Sequence, residues 1–132
     1  MNRRHMILGT AAIGLLPFAA RAMTDYAPGL VRERLAAGDT VLADFSATWC
    51  GTCRAQGRVI SALREGNAEY DAAITFVRVD WDQYGRADLA QSLDIPRRST
   101  LVLLRGDQEL GRVVASTRES DIADLLNLAL VS

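Results

Sequence analysis

Val41-Leu42-Ala43-Asp44-Phe45-Ser46-Ala47-Thr48-Trp49-Cys50-Gly51-Thr52-Cys53 is the stretch whose reading decides this chain. It opens as a short apolar strand and runs through Trp49 into two cysteines separated by two residues. Helical spacing follows, with Val59, Ile60 and Leu63 recurring on one face. A Cys-x-x-Cys where a strand hands over to a helix suits redox chemistry. The first thiol sits near a helix N-terminus, where free N–H groups and the macrodipole favour thiolate over thiol. The second lies about one turn further in, within reach of a mixed disulfide formed on the first. As a structural staple the pair is a poor candidate, because closing so short a ring removes little chain entropy.

The rest of the composition removes competitors. The 132 residues suffice for one domain, and 49% hydrophobic with 23% charged residues is an ordinary globular balance. All 15 basic residues are arginine, so lysine Schiff-base chemistry and a P-loop are excluded. The single histidine is His5, and the two cysteines are the only ones. Residues 1–22 read as an N-terminal signal peptide. Asn2-Arg3-Arg4 is a basic start, Met6 to Ala20 is apolar, and Ala20-Arg21-Ala22 is a small-x-small cleavage pattern. Arg3-Arg4 hints at the twin-arginine type. The apolar run is shorter than the roughly 20 residues a spanning helix needs, which leaves an uncleaved membrane anchor as the lesser alternative. Removal of the leader would leave residues 23–132 as the folded domain, placed in the periplasm. Without His5 that domain has no imidazole for a Cys-His or Ser-His-Asp site, and too few soft ligands for a closed zinc site. Its 12 arginines against 16 acidic residues give a net charge of −4, which argues against nucleic acid as a partner.

In order, the pattern predicts a helix over Asp25–Ala37, a central strand over Thr40–Ser46 and a helix over Arg54–Glu65. A β-branched strand over Ile74–Asp80 and a short helix over Arg86–Leu93 come next. Strands over Thr100–Arg105 and Leu110–Ala115 form a hairpin about Gly106-Asp107-Gln108. Ser116 and Glu119 fit a capping box for a last amphipathic helix that buries Ile122, Leu125, Leu126 and Ala129. The fold class is α/β: a mixed sheet of about four strands with helices on both faces.

That order, with Trp49-Cys50-Gly51-Thr52-Cys53 at the strand-to-helix junction, resembles the thioredoxin family across residues 25–130. Asp44-Phe45 stands where the family carries a buried aspartate and its neighbour, and Thr100 to Gly106 looks like the family's third strand and its turn. With the leader, the chain is similar to extracytoplasmic thioredoxin-like proteins, including the soluble thioredoxin-like domain of DsbD. The resemblance implies thiol–disulfide exchange on protein disulfides by a monomer without cofactor or metal, more as reductant than oxidant. A membrane electron donor of the DsbD type would supply the electrons. It implies Cys50 as nucleophile, Cys53 as resolving thiol in a more buried position, and Asp44 as proton relay. Arg78 matches a position that is often basic beside that aspartate. Trp49, Gly51, Thr52, Arg98 and Ser99 would form the substrate-binding rim, with Trp81 in a packing role.

Two departures stand out. Thr52 replaces the proline that thioredoxin carries between its cysteines, and Ser99 stands where the family places a cis-proline before the strand. Either Ser99 replaces that proline, or Pro96 fills the role and Arg97-Arg98-Ser99 is an insertion. Strand register favours the first, since a one-residue slip turns every side chain over. The peptide before Ser99 is then expected to be trans, because a cis bond before a non-proline residue costs about 3 kcal/mol. Arg97 and Arg98 are unexpected beside such a site and would favour a thiolate or acidic partners. Two other function classes remain open: a redox-responsive binding module without turnover, and a dimer bridged by a metal or iron–sulfur cluster through four thiolates.

Overall fold

Among the described residues a mixed sheet of five strands carries the two cysteines at one end, with the strands side by side as first, third, second, fourth and fifth in the chain. The computed structural model describes residues 22–131. The expected leader therefore lies outside the described residues except for Ala22. The strands are β1 (Thr24–Asp25), β2 (Thr40–Ser46), β3 (Ile74–Asp80), β4 (Thr100–Arg105) and β5 (Gln108–Val114). The helices are α1 (Leu30–Ala36), α2 (Gly51–Gly66), α3 (Ala68–Ala73), α4 (Trp81–Tyr84), α5 (Asp88–Ser92) and α6 (Glu119–Asn127). A 3-10 turn over Leu128–Leu130 follows α6. Among the described residues no helix is long and apolar enough to cross a membrane.

β2 is the axis. It is buried along its whole length, parallel to β3 and antiparallel to β4. Strand alternation divides its side chains between two cores. Val41, Ala43 and Phe45 join Val31, Val77, Val79, Val102 and Leu104 on the face covered by α1 and α5. Leu42 joins Ile60, Phe76, Leu101, Leu103, Ile122 and Leu126 on the face covered by α2 and α6. Asp44 has the parity of Leu42, so the same alternation that builds the cores aims its carboxyl at the α2 face.

Several boundaries differ from the sequence reading. The sheet has five strands, not about four, because Thr24-Asp25 pairs with Val77-Arg78 at the edge of β3. The expected helix over Asp25–Ala37 shortens to α1, because Pro28-Gly29 breaks the chain and Gly29 takes a left-handed conformation (φ 90°). α3 and α4 add helical turns that the pattern did not reveal. The Ser116–Glu119 capping box does not form: α6 begins at Glu119 with Arg118 as N-cap. Ser116 instead accepts from the Arg118 N–H (3.2 Å) and donates to Asp121 (2.6 Å).

Candidate functional site

Cys50 is the N-cap of α2, which starts three residues before the predicted Arg54. Its Sγ accepts the Cys53 backbone N–H at 3.2 Å, as a capping oxygen would elsewhere. α2 lays Cys53, Gln56, Ile60 and Arg64 along one buried stripe. Cys50 and Cys53 are 3% and 6% exposed, so both thiols are buried. Ala47 and Trp81 pack against the pair.

Ser99, not Pro96, faces the cysteines. Its Oγ lies 3.0 Å from Cys53 Sγ and 3.3 Å from Cys50 Sγ, and the residue is fully buried. Among the described residues every peptide bond is trans, and Ser99 adopts φ 65°. Pro96 lies exposed in the loop before it. The Ser99 N–H donates to Phe45 O (2.7 Å), which continues the β2–β4 ladder by one bond beyond Thr100.

The rim holds the remaining predicted residues. Trp49 is 56% exposed, and its indole Nε1–H donates to the Asp82 carboxylate at 2.9 and 3.1 Å. The Arg98 guanidinium carbon stacks 4.7 Å above the Trp49 ring, a cation–π contact that holds the charge beside Cys50. Gly51 is exposed and Thr52 half-buried, so both line the approach to Cys50. Arg97 turns back on its own loop, where its Nε donates to Arg98 O.

The two thiols are driven apart. Burial opposes ionisation of Cys50. Hydrogen bonds from the Cys53 thiol, the Ser99 hydroxyl, the Cys53 N–H and Arg98 outweigh it and bring the thiol down to about 6. Burial, reinforced by the hydrogen bond to Cys50, pushes the Cys53 thiol up. The chain thus holds a nucleophilic thiolate beside a thiol that keeps its proton near neutrality. Asp44 is 3% exposed, and burial raises its carboxyl to about 7 although Arg78 draws it down. Arg78 is the register partner of Asp44 on β3. Asp44 and Cys53 open on one cleft of about 510 Å³, lined also by Arg54, Arg58 and Arg78.

Two residues of the site escaped the sequence reading. Gln56 is fully buried, and its Nε2 donates to Ser99 O (3.0 Å) and Ser116 O (2.9 Å). An amide at helical spacing between Cys53 and Ile60 was the available signal. Asp82, the anchor of Trp49, had none, since it comes 33 residues later in a separate element.

Comparison with known proteins agrees with this geometry. The family model described as Thioredoxin matches residues 30–128. Thioredoxin-2 of Saccharomyces cerevisiae is 36% identical over 83 residues, which span 62% of this chain and 74% of the yeast protein. The crystal structure of Trxlp from Edwardsiella tarda superposes with a TM-score of 0.69 at 28% identity, covering 80% of this chain and 98% of that one. Mitochondrial thioredoxin 3 of S. cerevisiae, in its oxidised form, shares the fold at 22% identity and a TM-score of 0.66, over 80% and 93% of the two chains. With two unequal thiols at the start of α2 and this kinship, the chain belongs to the thioredoxin family and is a thiol–disulfide oxidoreductase.

Proposed function

We propose that the protein reduces disulfides of protein substrates in the periplasm. What carries this reading is the Cys50 thiol at the start of α2, with the Cys53 N–H at 3.2 Å on its sulfur and its pKa brought down to about 6. That lies close to the roughly 7 of thioredoxin and far from the roughly 3.5 of the strong oxidant DsbA. The better a thiolate is stabilised, the more oxidising its couple becomes, so a moderate shift favours reduction of substrates.

Cys50 thiolate attacks one sulfur of a substrate disulfide. A Cys50–substrate bond forms, and the other sulfur leaves with the electron pair. Asp44, as carboxylate, takes the Cys53 proton through the shared cleft, which is roomy enough for water. The Cys53 thiolate then attacks Cys50 Sγ, forms the Cys50–Cys53 disulfide and releases the reduced substrate. Trp49, Gly51, Thr52 and Arg98 supply the surface on which the substrate chain rests, whereas Ser99, expected in that rim, is fully buried against the two sulfurs. Residues 1–22, with the features of an export leader, support a periplasmic placement. There the oxidised pair needs electrons from across the membrane, and a reductase of the DsbD type is the fitting donor. The reading is tested by insulin reduction with dithiothreitol. Catalytic amounts of protein are expected to shorten the lag before insulin B-chain precipitates, whereas an unchanged lag would favour a binding module without turnover.

A further inference from the structure

Ser99 occupies a left-handed conformation that is strained for a non-glycine residue. The surroundings hold it there from three sides. Its N–H donates to Phe45 O at 2.7 Å, and its carbonyl accepts from the Ala115 N–H at 2.8 Å and from Gln56 Nε2 at 3.0 Å. The Gln56 amide is oriented without ambiguity, because its two partners are carbonyl oxygens and only the NH2 group can donate to them. Its own oxygen is buried without a partner. A buried amide left half-satisfied is costly, so the two donated bonds are what the position provides.

The product of this clamp is the position of one hydroxyl. Ser99 Oγ meets Cys53 Sγ at 3.0 Å and Cys50 Sγ at 3.3 Å. A hydroxyl carries one proton and two lone pairs, so it can donate to one sulfur while accepting from the other. Once Cys50 has ionised, the two sulfurs carry one proton between them. The Ser99 O–H then makes a charge-assisted bond to the Cys50 thiolate, and the Cys53 S–H is shared between that thiolate and Ser99 Oγ.

We propose that the Ser99 hydroxyl is a catalytic group that bridges the two sulfurs, holding the proton on Cys53 and the negative charge on Cys50, and that Gln56 is its positioning residue. The inference rests on Cys50 being the attacking thiol. Formation of the Cys50–Cys53 disulfide removes both the thiolate and the S–H, leaving the buried hydroxyl with only weak sulfur acceptors. The bridge therefore favours the reduced pair. Cys53, Arg98 and the Asp44 carboxylate are the other titratable and charged groups that act on Cys50, and the substitutions below leave all three in place.

The test is the pH dependence of alkylation of reduced protein by iodoacetamide, with the modified cysteine identified by mass. Ser99→Ala and Ser99→Gly both remove the hydroxyl, and glycine also relieves the left-handed backbone. In both, the Cys50 midpoint is expected to rise by about one pH unit, a roughly tenfold loss of thiolate below the midpoint. The couple should also become more reducing. Gln56→Met should shift both readings in the same direction by less. An unchanged Cys50 midpoint in both Ser99 variants would overturn the proposal, as would a rise in the alanine variant alone, which would trace to backbone strain. Alkylation of Cys53 ahead of Cys50 in the unsubstituted protein would instead overturn the assignment of Cys50 as nucleophile.

Discussion

A Cys53→Ser variant is expected to stall on its substrate, with a mixed disulfide accumulating on Cys50 and insulin reduction falling by on the order of a thousandfold. The expectation follows from the asymmetry of the pair. Cys50, at the helix start, keeps the hydrogen bonds of the Ser99 hydroxyl and Arg98 and can still attack when the Cys53 thiol is gone. What is lost is the intramolecular second step, for which the preset position of Cys53 one turn into α2 stands in place of a high external thiol concentration. Formation of the adduct should rise with pH as Cys50 ionises, since only the thiolate attacks. Cys50→Ser should yield little adduct near neutral pH, because desolvation still raises the remaining Cys53 thiol. Non-reducing electrophoresis with a disulfide-containing protein substrate reads both results. An adduct of equal yield on either single-cysteine variant would contradict the assigned roles.

Asp44→Asn is expected to stabilise the fold in mildly alkaline solution while slowing turnover. In the native state burial raises the carboxyl from 3.8 to about 7. Between those values the folded chain binds a proton that the unfolded chain has released, so stability falls as pH rises through this window. At about 1.4 kcal/mol per pH unit the interval from 3.8 to about 7 amounts to roughly 4 kcal/mol, all of it forfeited above the folded value. A neutral asparagine forfeits none of it. Urea unfolding should therefore show the variant more stable than the native protein at pH 8, by an amount approaching that figure. The difference should vanish near pH 4, where the native carboxyl is protonated. A difference of the same size at both pH values would mean that ionisation of Asp44 is not its source. The retention of so costly a group on the central strand accords with its place on the cleft that reaches Cys53.

Much of this was legible in residues 40–53, because strand, junction and helix start are local features. The apolar run over Thr40–Ser46 marked the central strand, and the cysteine pair marked the strand-to-helix junction, although the helix starts at Gly51 rather than Arg54. The β4–β5 hairpin was legible for the same reason, with Gly106 in the left-handed conformation its turn requires. The sheet edge was not: two residues pairing with Val77 and Arg78 carry no period to detect. Nor was the clamp on Ser99, whose partners Phe45, Gln56 and Ala115 come from three separate elements. Sequence posed the choice between Ser99 and Pro96 at the position facing the cysteines. Only the fold shows the hydroxyl between the two sulfurs and the left-handed turn that puts it there.

The central claim, that the Cys50–Cys53 couple donates electrons to protein disulfides, is tested most directly by its midpoint potential. Equilibration of the protein in graded thiol–disulfide buffers, followed through Trp49 fluorescence, should give one two-electron transition. The account predicts a midpoint between about −270 mV, the value of thioredoxin, and about −200 mV. A midpoint near the −120 mV or so of DsbA would contradict it by making the protein an oxidant, and the absence of a two-electron transition would remove the exchange centre altogether.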